Sequence, residues 1–337
     1  MNIIQNIQVP TGNILIVEGH KGPLEMLSLG DYGRNVNVKA DFLGLDRDIN
    51  NVQHTELLPL EDKWVITIST QYRCNMGCRF CDVPKVKFTD KNINATFTDL
   101  VQQVLRGIHL HPEVKYSNHL NIHFARMGEP SWNPAVLEAA KWFRKNLYKD
   151  QNGDILYNIH PVVSTMMPKE NEWLKTFIHN WIYIKNWIYE GNAGLQLSIN
   201  STSDKERDFM FRNSCLSLAE IASVMENVIP VGRKITLNFA VADYEIDPSV
   251  LLKYFNPEHY IIKLTPMHLT KAALSNNIKT DGDYTTFAPY KHYEEALKKA
   301  GYDVLVFIAS KEEDLGRITC GNAILSGTMP EVDYKVL

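Results

Sequence analysis

The sequence is short of the features that would take a chain out of the ordinary globular class, and each absence narrows the field. No segment approaches the ~20 uninterrupted apolar residues of a membrane span. The opening Met-Asn-Ile-Ile-Gln-Asn has neither the charged nor the apolar region of a signal peptide, so a cytoplasmic chain without a membrane partner is expected. An excess of one charge is missing too: 35 Lys and Arg stand against 39 Asp and Glu, net −4. That balance excludes the global basic field of a nucleic-acid binder but leaves room for a local basic face. There is no low-complexity segment and no repeat of solenoid length. With 45% hydrophobic and 22% charged residues, wholesale disorder is excluded as well. Cysteines are few, five in all. An odd number without a signal peptide argues against a disulfide framework and for a reducing compartment.

What is present is an alternation of apolar β-type runs with helical patterns. Strand-like runs fall at Trp64–Ser69, Leu120–Met127, His160–Met166, Leu195–Asn200, Ile235–Val241, Tyr260–Pro266 and Asp303–Ala309. Helical patterns lie between them at Thr98–Leu110, Pro134–Leu147, Glu172–Trp187, Leu218–Val228, Pro248–Phe255 and Tyr284–Ala300. Asn133-Pro134 and Asp247-Pro248 are helix-start signals. Repeated β-then-α units predict a parallel sheet with crossover helices. Near-continuous apolar strands such as Ile235–Val241 predict a sheet covered on both faces. The expected architecture is α/β, a partial (β/α)6 barrel over residues 61–310. Residues 1–60 form a small, mostly β N-terminal segment, with strands at Val36–Leu43 and Asn51–Leu58 around the turn Asp46–Asn51. Residues 311–337 form an irregular tail that carries Cys320.

Three of the cysteines, Cys74, Cys78 and Cys81, fall within one short loop directly after the first barrel strand. Three thiolates on one loop suit three irons of a 4Fe–4S cluster, leaving the fourth iron open to an outside ligand. Zinc is the competing metal, but structural zinc sites are normally closed by a fourth Cys or His, and the loop holds no His.

The spacing Cys74-x-x-x-Cys78-x-x-Cys81, with Phe80 before the last cysteine, resembles the signature of the radical S-adenosylmethionine superfamily. Arg126-Met-Gly-Glu-Pro130 is similar to the Gly-Glu-Pro motif of its RlmN/Cfr branch, RNA (adenine) methyltransferases. The resemblance implies a radical-SAM barrel holding a 4Fe–4S cluster on the three cysteines. It implies S-adenosyl-L-methionine at the strand ends, against Gly128, Glu129, Ser164, Ser198, Ile199, Asn200 and His268. Ser164-Thr165 and Ser198-Ile-Asn200, followed by Arg207-Asp208, resemble the family's cofactor-contacting strand ends; His268 stands where the family has an asparagine. Cys320-Gly-Asn322 looks like the family's Cys-Gly-Gln, whose cysteine carries a methyl group to the substrate. Lys39–Leu60 resembles the hairpin leading into the family's barrel. An electron donor of flavodoxin or ferredoxin type is implied as partner, and RNA or a nucleobase as substrate.

Three departures accompany the resemblance. Thr67 replaces the family's second cysteine, His54 aligns with a glutamate proposed as proton acceptor, and no helical accessory domain fits before residue 35. Cys215 is either a substitute thiol or a core cysteine. The basic set Arg73, Arg79, Lys85, Lys87 and Lys91 suits phosphates or a solvated loop rim. Two other readings stand beside methyl transfer: a radical-SAM enzyme acting on a small molecule, nucleotide or peptide, and a non-catalytic iron–sulfur protein.

Overall fold

The computed structural model describes residues 1–46, 52, 54–150, 152–153, 156–280 and 284–337. Among them one sheet collects twelve strands. The first three form an antiparallel meander, β1 (Ile3–Val9), β2 (Gly12–Gly19) and β3 (Gly22–Leu29), and β4 (Val38–Lys39) is a two-residue edge piece. Then come β5 (Trp64–Ile68), β6 (Ser117–Phe124), β7 (Tyr157–Thr165), β8 (Gly194–Ser198), β9 (Ile235–Val241), β10 (Tyr260–Pro266) and β11 (Asp303–Phe307). Neighbours from β5 to β11 all pair in parallel. β12 (Lys335–Val336) closes the order β12-β1-β2-β3-β5-β6-β7-β8-β9-β10-β11-β4, so the barrel stays open between β12 and β4.

The parallel core agrees with the sequence reading strand by strand, because each run alternates between two environments. Outward residues such as Trp64, Ile66, Leu120, Ile122, Leu195, Leu237 and Ile262 are wholly buried beneath the crossover helices. Inward residues, Thr67, His123, Ser164, Gln196, Ser198, Asn238 and Lys263, remain half-exposed and mostly polar. Helix Phe97–His109 shows why the crossovers form where they do. Thr96 caps it, accepting from the Asp99 N–H at 3.1 Å while the Asp99 carboxylate accepts from the Thr96 N–H at 2.9 Å. Its apolar stripe, Leu100, Val101, Val104 and Ile108, then packs on the sheet.

The N-terminal segment is β-rich, but its strands lie elsewhere than expected. The meander occupies residues 3–29 and continues the barrel sheet, β3 pairing antiparallel with β5. Of Val36–Leu43 only Val38–Lys39 is strand, followed by a 3-10 turn at Asp41–Leu43. Residues 52 and 54–58 have no regular structure, so no Lys39–Leu60 hairpin forms among the described residues; residues 47–51 and 53 lie outside them. The misplacement has a physical cause. Val36–Leu43 has apolar alternation, but Arg34–Asn37 is helical and past Val38–Lys39 a single Ala40–Leu45 bridge forms among the described residues, whereas Gly12 and Gly22 close tight turns at φ 144° and 145°. The tail is also more ordered than expected: helix Lys311–Leu315, a 3-10 turn at Ile324–Ser326, and β12 laid against β1.

Candidate active site

The cysteine loop leaves the C-terminal end of β5, the end of a parallel barrel where ligands collect. Cys74, Cys78 and Cys81 are half-buried free thiols packed near Met76, Met166, Met210 and Phe211, with Cys78 Sγ 3.6 Å from Met166 Sδ. Burial pushes the Cys74 thiol up to about 12 and raises those of Cys78 and Cys81, each further raised by neighbouring thiols. Negative charge therefore cannot gather on this loop without a cationic group to hold it. A cationic iron–sulfur core would supply that charge, since metal binding deprotonates thiols outright. Among the described residues, no three His, Cys, Asp or Glu side chains close on one point as ligands of a single ion do. A cluster does not require that closure, since each thiolate takes its own iron.

The loop is braced from three directions. Arg79 donates to the Phe209 carbonyl at 2.9 Å and to Asn276 Oδ1 at 3.2 Å, and its guanidinium sits over the Phe209 ring at 4.6 Å. Thr270 donates to the Phe80 carbonyl at 2.8 Å. The buried Asp82 carboxylate accepts from the N–H groups of Lys271 at 3.1 Å and Ala272 at 3.0 Å. Of the basic set, Arg79 thus holds the loop itself, Lys85 pairs with Asp82 at 2.6 Å, and Lys87 and Lys91 are exposed.

The expected cofactor residues all stand on the same rim. Glu129 is buried after β6, its carboxylate accepting from the Ser131 N–H and the Met166 N–H, both at 3.1 Å. Burial raises its pKa against those hydrogen bonds. The Thr165 and Ser131 side chains bond the carboxylate as well, so a cofactor ammonium would share or displace one of these donors. Gly128 lies at φ 97°, and a Cβ there would stand 2.5 Å from Gln71 Cβ. The glycine therefore admits Gln71, whose Oε1 accepts from the Glu129 N–H at 2.9 Å. Ser164 and Ser198 face inward on β7 and β8. Ile199 is buried, and Asn200, at φ 61°, accepts from the Ala240 N–H at 3.0 Å. The buried Arg207 donates to the Ser198 carbonyl at 3.3 Å and also to that of Ile199, fixing this strand end. His268 is tied down: its Nδ1 lies 2.7 Å from Asp314 Oδ1. Against the upward push of burial, His268, Thr319 and Tyr284 hold Asp314 at about 2.

Asp314 belongs to the tail, and through it the tail is anchored over the barrel mouth. Tyr284 donates to Asp314 at 2.8 Å and Thr319 at 2.5 Å. Arg126, at the end of β6, forms a buried ion pair with Glu25 of β3 and donates to the Arg317 carbonyl at 2.8 Å. Glu25 also accepts from the N–H groups of Ile324 at 3.1 Å and Leu325 at 3.0 Å. The result brings the tail cysteine to the cluster loop. The Asp82 N–H donates to the Gly321 carbonyl at 2.7 Å, and a Cβ on Gly321 would stand 3.2 Å from the Phe80 carbonyl. Cys320 is exposed but ringed by barrel atoms; that enclosure pushes its thiol up while Lys263 and Arg126 pull it down.

His54 is not brought to Cys320 by its hydrogen-bond or ring contacts. Its Nε2 bonds the Ile308 carbonyl at 3.0 Å and its ring meets Tyr32 edge-on at 4.9 Å. Burial lowers its pKa. Thr67 faces inward on β5, opposite His123 of β6. Cys215 is a core residue, buried with Met76 and Met166 and 3.6 Å from Arg207 Nη2. Sequence reading missed Gln71, Glu25, Arg126 and Asp314. Glu25 does carry one legible signal, a lone carboxylate amid the apolar residues of β3.

No protein-family model matches the chain. It is 29% identical over 202 residues to the dual-specificity RNA methyltransferase RlmN of Pelobacter propionicus, covering 58% of this chain and 49% of that protein. It is 25% identical over 309 residues to the ribosomal RNA large subunit methyltransferase Cfr of Clostridium botulinum, covering 84% of this chain and 80% of that protein. The chain thus spans about half the length of the RlmN relative and four fifths of the Cfr relative. Among solved structures, a radical SAM methyltransferase from Sphaerobacter thermophilus superposes with TM-score 0.64 at 16% identity, over 95% of this chain and 80% of that one. In sequence this chain resembles the RNA methyltransferases RlmN and Cfr, and in fold a radical SAM methyltransferase.

Proposed function

We propose that the protein is a radical-SAM enzyme of the methylase type, acting on RNA or a nucleobase and reduced by a flavodoxin- or ferredoxin-type donor. Cys74, Cys78 and Cys81 would hold a 4Fe–4S cluster, and Glu129, Ser164, Ser198, Ile199, Asn200 and the Gly128 turn would seat S-adenosyl-L-methionine. When bound, the pair supplies a carbon-centred radical by reductive cleavage of the cofactor. The chain's own part is to orient the cofactor, exclude water and present Cys320. One observation carries the reading: a cysteine near the end of the chain is folded back onto the cluster loop through the Asp82–Gly321 hydrogen bond of 2.7 Å. That placement suits a thiol that receives a methyl group from the cofactor and offers it to a substrate in the barrel mouth.

Intact-mass and peptide mass spectrometry of protein purified from cells tests this. A methyl increment on Cys320, roughly 14 daltons, is expected; an unmodified Cys320 together with a fully active Cys320→Ala variant refutes carriage. Thr67 and Cys215 favour a second reading. With no thiol at residue 67 and Cys215 held in the core against Arg207, the usual thiol exchange has no second partner on the barrel face. That arrangement suits a radical-SAM enzyme modifying a nucleotide, peptide or other small molecule without methyl transfer.

A further inference from the structure

The interior of the barrel below Cys320 carries a charge pattern that the cluster and the cofactor leave unused. Ser198, Asn238 and Lys263 are register neighbours on β8, β9 and β10, and therefore form one continuous row on the inner face. Asn238 Oδ1 is buried without a hydrogen-bond partner. Lys263 has no ion pair among the described residues; its ammonium rests over the Phe307 ring at 5.0 Å. Arg233, at the foot of β9, is exposed and has no ion pair among the described residues; its guanidinium packs where a Cβ of Gly194 would be, Nη1 at 3.0 Å. His119 and His160 stack at 3.9 Å nearby, and His160 Nε2 is another buried atom without a partner.

The acids at the lower rim are already neutralised: Asp303 by Lys234 at 2.7 Å and Asp31 by Lys63 at 2.8 Å. Arg233 and Lys263 repel one another, and burial together with these two cations holds His123 neutral. A chain of net charge −4 has thus placed an unpaired lysine inside its barrel, with the exposed Arg233 at its foot. Like charges in a half-dry chamber are costly unless an anion joins them.

We infer that the barrel interior beneath Cys320 is an oxyanion-binding chamber, with Lys263 as its anchor. The ligand is a molecule or molecular unit bearing a phosphate or carboxylate, with an N–H or O–H to satisfy Asn238. Lys263 meets the oxyanion at the depth of the Ser198–Asn238 row, and Arg233 extends the positive field toward the foot of the barrel. That the occupant is the substrate rests on the function proposed above; that the chamber takes an oxyanion does not.

The test separates the two. The full chain, anaerobic and without reductant so that nothing turns over, is labelled with 13C at lysine Cε and titrated with inorganic phosphate and, separately, with acetate. The Lys263 signal is assigned by its loss in Lys263→Arg. Saturable movement of that signal is expected, and phosphate affinity read by isothermal titration calorimetry on both proteins should fall about tenfold or more, at least about 1.4 kcal/mol, in Lys263→Met. The tighter of the two probes identifies the source of the oxyanion. A Lys263 signal that neither probe moves, or equal affinity in a folded Lys263→Met, overturns the inference. Should Lys263→Met fail to fold, the wild-type titration decides alone. Saturable anion binding in a protein that cleaves no S-adenosylmethionine would sink the proposed function and leave the chamber standing; cleavage in a protein that binds no anion would do the opposite.

Discussion

Glu25 lies on a β-strand close to the N-terminus, yet the structure makes it the anchor of the C-terminal tail. Its carboxylate is fully buried and pairs with Arg126, itself 4% exposed, while accepting from the Ile324 and Leu325 N–H groups. Glu25→Ala removes one partner of a buried ion pair, leaves the Arg126 guanidinium with only the Arg317 carbonyl, and strands two backbone N–H groups. Breaking a buried pair in this way costs about 3–5 kcal/mol. The two stranded N–H groups do not simply add, because the tail can detach and hydrate them. Detachment is therefore the expected relief, and it should expose Cys320 and the Asp82–Gly321 contact. Chemical denaturation should show a loss of about 3–5 kcal/mol, and limited proteolysis should cut first after residue 316. Glu25→Ala combined with Arg126→Met should recover most of the stability, since replacing a buried pair with apolar groups is often neutral. A loss below about 1 kcal/mol, or a tail no more open to protease, would show that the pair does not hold the tail.

Three further outcomes follow from the same geometry. Glu129→Ala should weaken S-adenosylmethionine binding by about 1.5–3 kcal/mol, the worth of a charge-assisted hydrogen bond, as read by equilibrium dialysis; an unchanged dissociation constant removes Glu129 from the cofactor site. Asp314 has its folded pKa lowered to about 2, so its contribution is present above the unfolded value of about 3.9 and is lost as pH falls from there. Hydrogen exchange over residues 311–325 should accelerate across that acid window in the wild type, and Asp314→Asn should be open already at neutral pH. Cys320→Ala should abolish label transfer from methyl-labelled cofactor while cofactor cleavage persists; transfer at the wild-type rate would end the carrier role.

The parallel barrel was legible in the sequence because each strand carries its own evidence. A run such as Ile235–Val241 is read from its neighbours in the chain, and the structure places strand over the same seven residues. The cysteine loop was legible for the same reason, its chemistry being confined to eight residues. What escaped depends on partners far away in sequence. Val36–Leu43 alternates like a strand, but its ladder with β11 covers only Val38 and Lys39, Ala40 instead bridging Leu45. The tail reads as irregular because its order comes from Glu25, Arg126 and His268, which no local pattern connects to residues 314–325. At Gly128 the missing Cβ makes room for Gln71, another partner that no local pattern names.

The central claim, that three cysteines and the strand ends form a site for reductive cleavage of S-adenosylmethionine, is tested most directly by product analysis. The full chain is reconstituted anaerobically with iron and sulfide, given a strong reductant and methyl-labelled S-adenosylmethionine, and assayed for 5′-deoxyadenosine by chromatography with mass detection. The account predicts 5′-deoxyadenosine from the wild type and none from Cys74→Ala, Cys78→Ala or Cys81→Ala, each with most of its iron lost. A wild type that binds iron yet forms no 5′-deoxyadenosine, or a cysteine variant that forms it at the wild-type rate, would contradict it.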